Sequence, residues 1–371
     1  MSSSSEKSFV LISLVAVETQ LPVKELQVDF RPSKKPKDNQ SQKHMKPKTI
    51  LTALAVALLA PGALYATTAT TTPVGYETLA LTTGFNYMGL RLHNSTILAG
   101  EVTGISASQL TATGVDFNAA LTEAATTYIL EFENASGNIT QVLGSAAGDT
   151  TLTLGEDLTT FVTVGDKFRI RKADTLASVF GATNTAGFAA GFFGPGGADL
   201  VYVPDGAGDF DIYYFDDGIP GWADFEGNAV DPALIPLVYT DSLVISATSE
   251  LSLTVDGEVK TKAVNYGLAS GFNYLGSVFP VGSTLASAFG ATPASLDTGF
   301  FGPGGADLVY IPDGLGDFTI YYYDGGQESW SDFGGNAVDA TLISITPGII
   351  ISNENAPLNL KISPPTSYSG L

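Results

Sequence analysis

Residues 191–231 read GFFGPGGADLVYVPDGAGDFDIYYFDDGIPGWADFEGNAVD, and residues 299–339 read GFFGPGGADLVYIPDGLGDFTIYYYDGGQESWSDFGGNAVD. The two align without a gap at an offset of 108, and 31 of 41 positions are identical. One unit written twice therefore organises the chain. Its internal pattern is that of strands. Asp199–Pro204 and Asp307–Pro312 predict a strand, and the Asp-Gly segment after each predicts a hairpin turn. The returning strand, Asp209–Phe215 or Asp317–Tyr323, alternates with period two. Phe210, Ile212 and Tyr214 are expected to face the core, as are Phe318, Ile320 and Tyr322. Asp211, Tyr213 and Phe215, or Thr319, Tyr321 and Tyr323, then fall on the other face.

The match extends outward on both sides. TLASVFG at Thr175–Gly181 faces TLASAFG at Thr284–Gly290, and GFNYMG at Gly84–Gly89 faces GFNYLG at Gly271–Gly276. A similar tail follows each copy, Leu243–Val255 against Ile349–Ile362. The expected units are 74–262 and 264–371, the first carrying an insertion at 91–172. Within that insertion Thr127–Phe132, Gly148–Leu154 and Phe168–Arg171 are short β-prone runs separated by turn residues. Asn118–Thr126 is its candidate helix. Lys167, Arg169, Arg171 and Lys172 cluster at its end. The expected architecture is all-β: two tandem β-sandwich-like units, the first with a small inserted β subdomain.

Composition agrees with short strands and tight turns. Gly 41 and Pro 19 stand beside 10% aromatic residues, and charged residues make up only 15%, against about 25% in ordinary soluble domains. The absence of cysteine excludes thiol nucleophiles, thiolate metal sites, disulfides and a lipid-bearing cysteine anchor. Charge is uneven. Residues 1–66 hold nine Lys/Arg and five Asp/Glu; the whole chain holds 17 and 38, so residues 67–371 hold eight and 33, a net of −25. Such a field repels phosphate backbones, which argues against a nucleic-acid partner.

Near the front, Met45-Lys46-Pro47-Lys48 precedes an apolar run from Thr49 to Tyr65, closing on the small residue Ala66. Basic, apolar and small segments in that order read as a signal peptide at 45–66. Met45 is then the true start, 1–44 a misassigned extension, and the mature chain begins at Thr67. The competing interpretation is a cytoplasmic tail before an uncleaved anchor, but that run has 17 residues with Pro61-Gly62 inside it, the short limit for a spanning helix. The expected location is periplasmic, outer-surface or extracellular, with no integral membrane domain after cleavage. An outer-membrane barrel is disfavoured by strands too short to span.

Candidate site residues follow from the repeat. Trp222 and Trp330, the only two tryptophans, occupy equivalent positions near Tyr213 or Tyr321 and beside Asp224 or Asp332. A flat aromatic flanked by carboxylates is a platform for a sugar ring; the alternative is a plug at the end of a β-sandwich. Asp205 with Asp209, and Asp313 with Asp317, pair carboxylates in Gly-rich loops, an arrangement open to Ca²⁺, although Asp-Gly is equally a plain hairpin turn. No cofactor other than Ca²⁺ is suggested.

Catalytic machinery is sparse. His93 is the only histidine after residue 66 and has no counterpart in the second unit, so a Ser-His-Asp triad would depend on it alone. Asp/Glu pairs for glycoside hydrolysis remain open, yet Glu226 is replaced by Gly334. The GPGG at Gly194–Gly197 lacks the Lys-Ser/Thr of a phosphate loop. Together the GFN-Y-x-G opening, the A-D-x-V-x-x-P-D stretch, the F-x-I-Y-Y strand and the later Trp resemble an uncharacterised family of exported β-rich proteins from verrucomicrobial-type bacteria. The resemblance spans most of residues 74–350 and implies no activity, cofactor or site. The function expected is an exported, non-enzymatic structural or binding protein of the envelope or exterior, with a glycan or envelope component as partner. The alternatives are a polysaccharide hydrolase using Asp/Glu pairs and a bivalent carbohydrate-binding protein.

Overall fold

The computed structural model describes residues 72–368 apart from 135, 144, 145, 281 and 356. The extension at 1–44 and the export signal at 45–66 lie outside the described residues. Among those described, the chain is all-β, with seven sheets and three α-helices of four or five residues. No helix among them is long and apolar enough to cross a membrane.

Two five-stranded antiparallel sheets dominate. In the first the order is Gly221–Asp224, Phe210–Asp216, Leu200–Pro204, Leu243–Ala247, Gly84–Met88. In the second it is Ser329–Asp332, Phe318–Asp324, Leu308–Pro312, Gly348–Asn353, Gly271–Gly276, the same arrangement. The opening GFNY strand pairs in each case with the last strand rather than with its sequence neighbour. A ribbon accompanies each sheet: Val74–Leu81 on Leu251–Val259, and Val264–Leu268 on Leu358–Ile362. Leu79, Leu81 and Leu253 from one ribbon, and Tyr266, Leu360 and Ile362 from the other, join the sheets in one continuous buried cluster.

The face expected to be the core is the outer one. Registers Val201↔Tyr213 and Phe215↔Trp222 place these four side chains on one side with Val203 and Ile245, inside the main cluster. Phe210 and Ile212 are only half-buried. Asp211 sits near the open end of the strand, where its carboxylate reaches water although it shares a face with the buried Val203 and Tyr213, so its polarity does not mark the solvent side. Tyr214 is buried on the outer side, in a small cluster with Ala198 and Ala223.

The insertion is a separate lobe with its own core of Phe117, Tyr128, Leu130, Phe132, Phe168 and Ile170, among others. Its two four-stranded sheets start at Thr96, because Leu92–His93 pairs instead with Glu258 and Val259 of the first ribbon. The helix is shorter than expected. It is the single turn Phe117–Ala120, whose N-cap Asp116 accepts from Ala119 N–H at 2.9 Å. Beyond it Leu121 has left helical geometry.

The two large sheets meet about an approximate twofold. Gly89 and Gly276, equivalent by repeat, touch backbone to backbone: a Cβ on Gly89 would lie 2.6 Å from Gly276 Cα and 2.3 Å from Pro347 O. One on Gly276 would lie 2.7 Å from Asp241 O and 3.1 Å from Gly89 Cα. Around them Ser242 N–H donates to Tyr274 O at 3.1 Å, and Gly276 N–H to Thr240 O at 2.8 Å. Tyr87 meets Phe318 with centroids 5.0 Å apart, while Tyr274 meets Phe210 at 4.7 Å. This is the reciprocal pattern of an isologous contact, residue i on j and j on i, made within one chain. Gly89→Ala or Gly276→Ala should each cost about 1–3 kcal/mol through overpacking, read by urea unfolding. Gly267→Ala, with nothing within 4 Å of its added Cβ, should stay within about 0.5 kcal/mol.

Candidate functional site

Both tryptophans are inside. Trp222 is 1% and Trp330 2% exposed, and each indole Nε1 donates at 2.9 Å to the carbonyl that ends a short helix, Gly181 O or Gly290 O. Those helices, Leu176–Phe180 and Leu285–Phe289, start in capping boxes made by Thr175 with Ser178 and Thr284 with Ser287. The TLAS-x-FG motif is thus the socket for the tryptophan. Tyr213 and Tyr321 are also buried, on the core side. Neither ring system offers a face to a sugar, so the platform expected at Tyr213, Trp222, Tyr321 and Trp330 is replaced by packing. Asp224 and Asp332 close turns, accepting from Asn228 and Asn336 N–H at 2.8 and 2.9 Å.

The Asp-Gly loops are likewise self-satisfied. Asp205 Oδ1 accepts from Ala207 and Asp209 N–H at 2.7 and 3.0 Å; Asp313 Oδ1 accepts from Leu315 and Asp317 at 2.7 and 3.1 Å. Asp209 and Asp317 each receive the next N–H, of Phe210 or Phe318. Turn hydrogen bonds thus occupy one oxygen of every carboxylate proposed for Ca²⁺. Among the described residues no three His, Cys, Asp or Glu side chains gather as a metal-binding group.

The surface that the sequence reading passed over is the GFFGPGG loop. Phe192 and Phe193 are 73% and 70% exposed, Phe300 and Phe301 75% and 71%. Within each pair the rings meet edge to face, with centroids at 4.8 and 4.7 Å. Phe193 and Phe301 have φ of 54° and 55°, a left-handed backbone that costs a bulky residue roughly 1 kcal/mol or more. A buried carboxylate holds that strain. Asp216 accepts from Phe193, Gly194 and Gly218 N–H at 2.9, 3.0 and 2.7 Å and from Tyr214 Oη at 3.2 Å. Asp324 accepts from Phe301 and Gly326 N–H at 2.9 and 2.8 Å and from Gln327 Nε2 at 3.1 Å. Burial alone would raise both pKa values, but the donors keep both below the usual carboxylate range. Two adjacent aromatics before Gly-Pro-Gly-Gly, followed by an Asp at the end of the F-x-I-Y-Y strand, were the available signal.

The outer side of each sheet, on which Tyr214 and Tyr322 lie beneath these loops, also carries a row of aromatics toward the other end of the strands. Phe85, Tyr202 and Phe210 run edge to face across the first sheet at 6.2 and 6.1 Å and end on Tyr274 of the second unit. Phe272, Tyr310 and Phe318 run at 5.8 and 6.0 Å and end on Tyr87. Where the units join, Phe85, Tyr87, Pro312, Asp317 and Thr346 are among the residues lining a groove of about 160 Å³.

His93 lies elsewhere, sealed at the root of the insertion with Glu131, Arg171, Tyr239 and Lys260. Its ring is 4.4 Å from that of Tyr239, and neither nitrogen has a partner. No nucleophilic hydroxyl is paired with it, so it does not form the triad considered above. No family model, curated protein or solved structure matches the chain.

The buried tryptophans and the sealed histidine each set an expected outcome. Trp222→Ala and Trp330→Ala should each cost about 3–5 kcal/mol, by nearly equal amounts, in chemical denaturation. Burial first, then Arg171, holds His93 down at about 3 rather than 6.5, so the unfolded chain takes up that proton first. The stability His93 permits is complete above pH 6.5 and is lost as pH falls toward 3, by about 1.4 kcal/mol per pH unit. His93→Phe should flatten stability against pH between about 6.5 and 4.5; an unchanged slope would contradict the assignment.

Proposed function

We propose that this is an exported, non-enzymatic binding protein of the cell envelope or exterior, holding a neutral glycan on its outer aromatic faces. The observation that carries this is the pair of loops in which a buried aspartate spends its hydrogen bonds on keeping two phenylalanines in water. Large apolar side chains exposed in a group mark contact surfaces, and strain retained at such a place is a functional signature. The net charge of −25 over residues 67–371 disfavours anionic polymers, which leaves neutral sugar rings as the better match for aromatic faces. Two such sites on one chain reinforce each other on a repeating polymer. Export rests on the segment Lys46–Ala66.

The hydrolase reading retains one supporting observation. Asp241, raised to about 7 by burial, shares a cavity of about 220 Å³ with Asp205 and Asp211. Its counterparts in the second unit are Pro347 and Thr319, so this acid cleft occurs once while the aromatic loops occur twice. Binding is therefore preferred.

The test is retention on a panel of insoluble neutral polysaccharides. Phe192→Ser with Phe300→Ser should abolish retention with stability changed by less than about 0.5 kcal/mol, and either change alone should weaken it. Full retention by the double variant overturns the proposal. Release of soluble sugar that Asp241→Asn abolishes would establish the hydrolase instead.

A further inference from the structure

Lys260 directly follows the long ribbon strand Leu251–Val259 of the first unit, and Glu131 lies in the inserted lobe. The two meet at 3.0 Å, Nζ to Oε1, with both residues less than 10% exposed. Tyr239 Oη donates to the same oxygen, and Lys260 Nζ lies 5.4 Å from the centre of the Tyr239 ring. The other carboxylate oxygen, Oε2, accepts from Arg171 Nη2 at 3.1 Å, and Arg171 Nη1 reaches Glu258 Oε2 at 3.2 Å. An ammonium and a carboxylate are thus held in contact, away from water, with a guanidinium on one carboxylate oxygen and a hydroxyl on the other.

We propose that Lys260 and Glu131 condense to an amide, covalently tying the inserted lobe to the first unit. The step balances within the pair. Lys260 Nζ bonds to Cδ of Glu131, the Cδ–Oε1 bond breaks, and two ammonium protons leave on Oε1 as one water. Tyr239 is placed to relay one of those protons, because its hydroxyl shares Oε1 with the amine. Arg171 is placed on Oε2, where negative charge gathers in the tetrahedral intermediate, the preorganised stabilisation acyl transfer needs. No oxidant, cofactor or activating group enters.

The energetics favour it on two counts. A buried ion pair carries a desolvation penalty that a neutral amide does not, and a site closed to water does not resupply the water that reverses the reaction. Charge also balances before and after: two acids and two bases become the single pair Arg171–Glu258, already in contact. Burial lowers the Lys260 pKa while Lys260 and Arg171 hold Glu131 as the carboxylate, so the amine and acid forms that condense arise by proton transfer from Nζ to Oε1 within the pair. Such a link also suits an all-β protein without cysteine, in which disulfides are not available.

High-resolution mass spectrometry of the denatured, purified chain decides the matter. The expected mass is one water below that of the sequence, with trypsin failing to cut after Lys260 and a branched peptide joining the Glu131 and Lys260 segments. Lys260→Met should restore the full sequence mass. The full mass in the unaltered protein with free cleavage at Lys260, or a water lost at any other position, overturns the proposal. The unaltered chain alone distinguishes these outcomes, whether or not Lys260→Met folds.

Discussion

The contact between Gly89 and Gly276 is the constraint on which the rest of the architecture hangs. With backbone against backbone, there is room for no side chain at either position. That closeness lets Gly276 N–H reach Thr240 O and Ser277 N–H reach Pro347 O. It also brings Tyr87 over Phe318 and Tyr274 over Phe210. Gly84–Met88 and Gly271–Gly276 are the edge strands of their sheets, and open edges invite pairing with other chains. The bridge Asp241↔Leu275 and the Ser242 N–H bond to Tyr274 O cover part of the second edge from within the chain. The buried cluster that runs through both sheets and both ribbons follows from that closure.

The repeat made strand positions legible, because alternation and Asp-Gly turns act locally. The hairpin around Asp205 is placed for that reason, whereas Thr127–Phe132 in the lobe, buried at all six positions, is legible from β propensity between turn residues. What alternation does not carry is which face is covered. Tyr213 and Tyr214 are adjacent and both buried, one under the sheet core and the other beneath the loop that begins at Gly191. The covering loop comes from a different part of the chain, so period two alone cannot predict it. Asn118–Thr126 holds four Ala and one Leu, good helix formers, so local propensity predicts a longer helix than the single turn Phe117–Ala120; the chain leaves it at Leu121, which packs with Phe117 in the lobe core.

The candidate site shows the same division. Sequence pointed to the tryptophans because they are rare and equivalent. Rarity marked sockets: each indole satisfies a helix-ending carbonyl, and this is why TLAS-x-FG travels with Trp in both copies. The exposed phenylalanines lay in the most visible motif of all, and their role depends on a left-handed backbone and a buried aspartate that only three dimensions bring together. Export, binding and the covalent link are consistent with one another physically. On the proposed reading, a chain without cysteine facing the exterior would gain from a tied lobe, and its two copies of one apolar loop would suit a repeating ligand.

If the glycine contact truly makes the two sheets one cooperative body, damage deep in one must be felt in the other. Native-state hydrogen exchange on Ile351→Ala tests this. Ile351 is fully buried in the second sheet and pairs with Val309 and Asn273; its truncation should cost about 2–5 kcal/mol. The account predicts that slow amides of Val201 and Ile245 in the first sheet lose protection by the same free energy as those of Val309 and Tyr321. Loss confined to the second sheet, with the first unchanged, would contradict it.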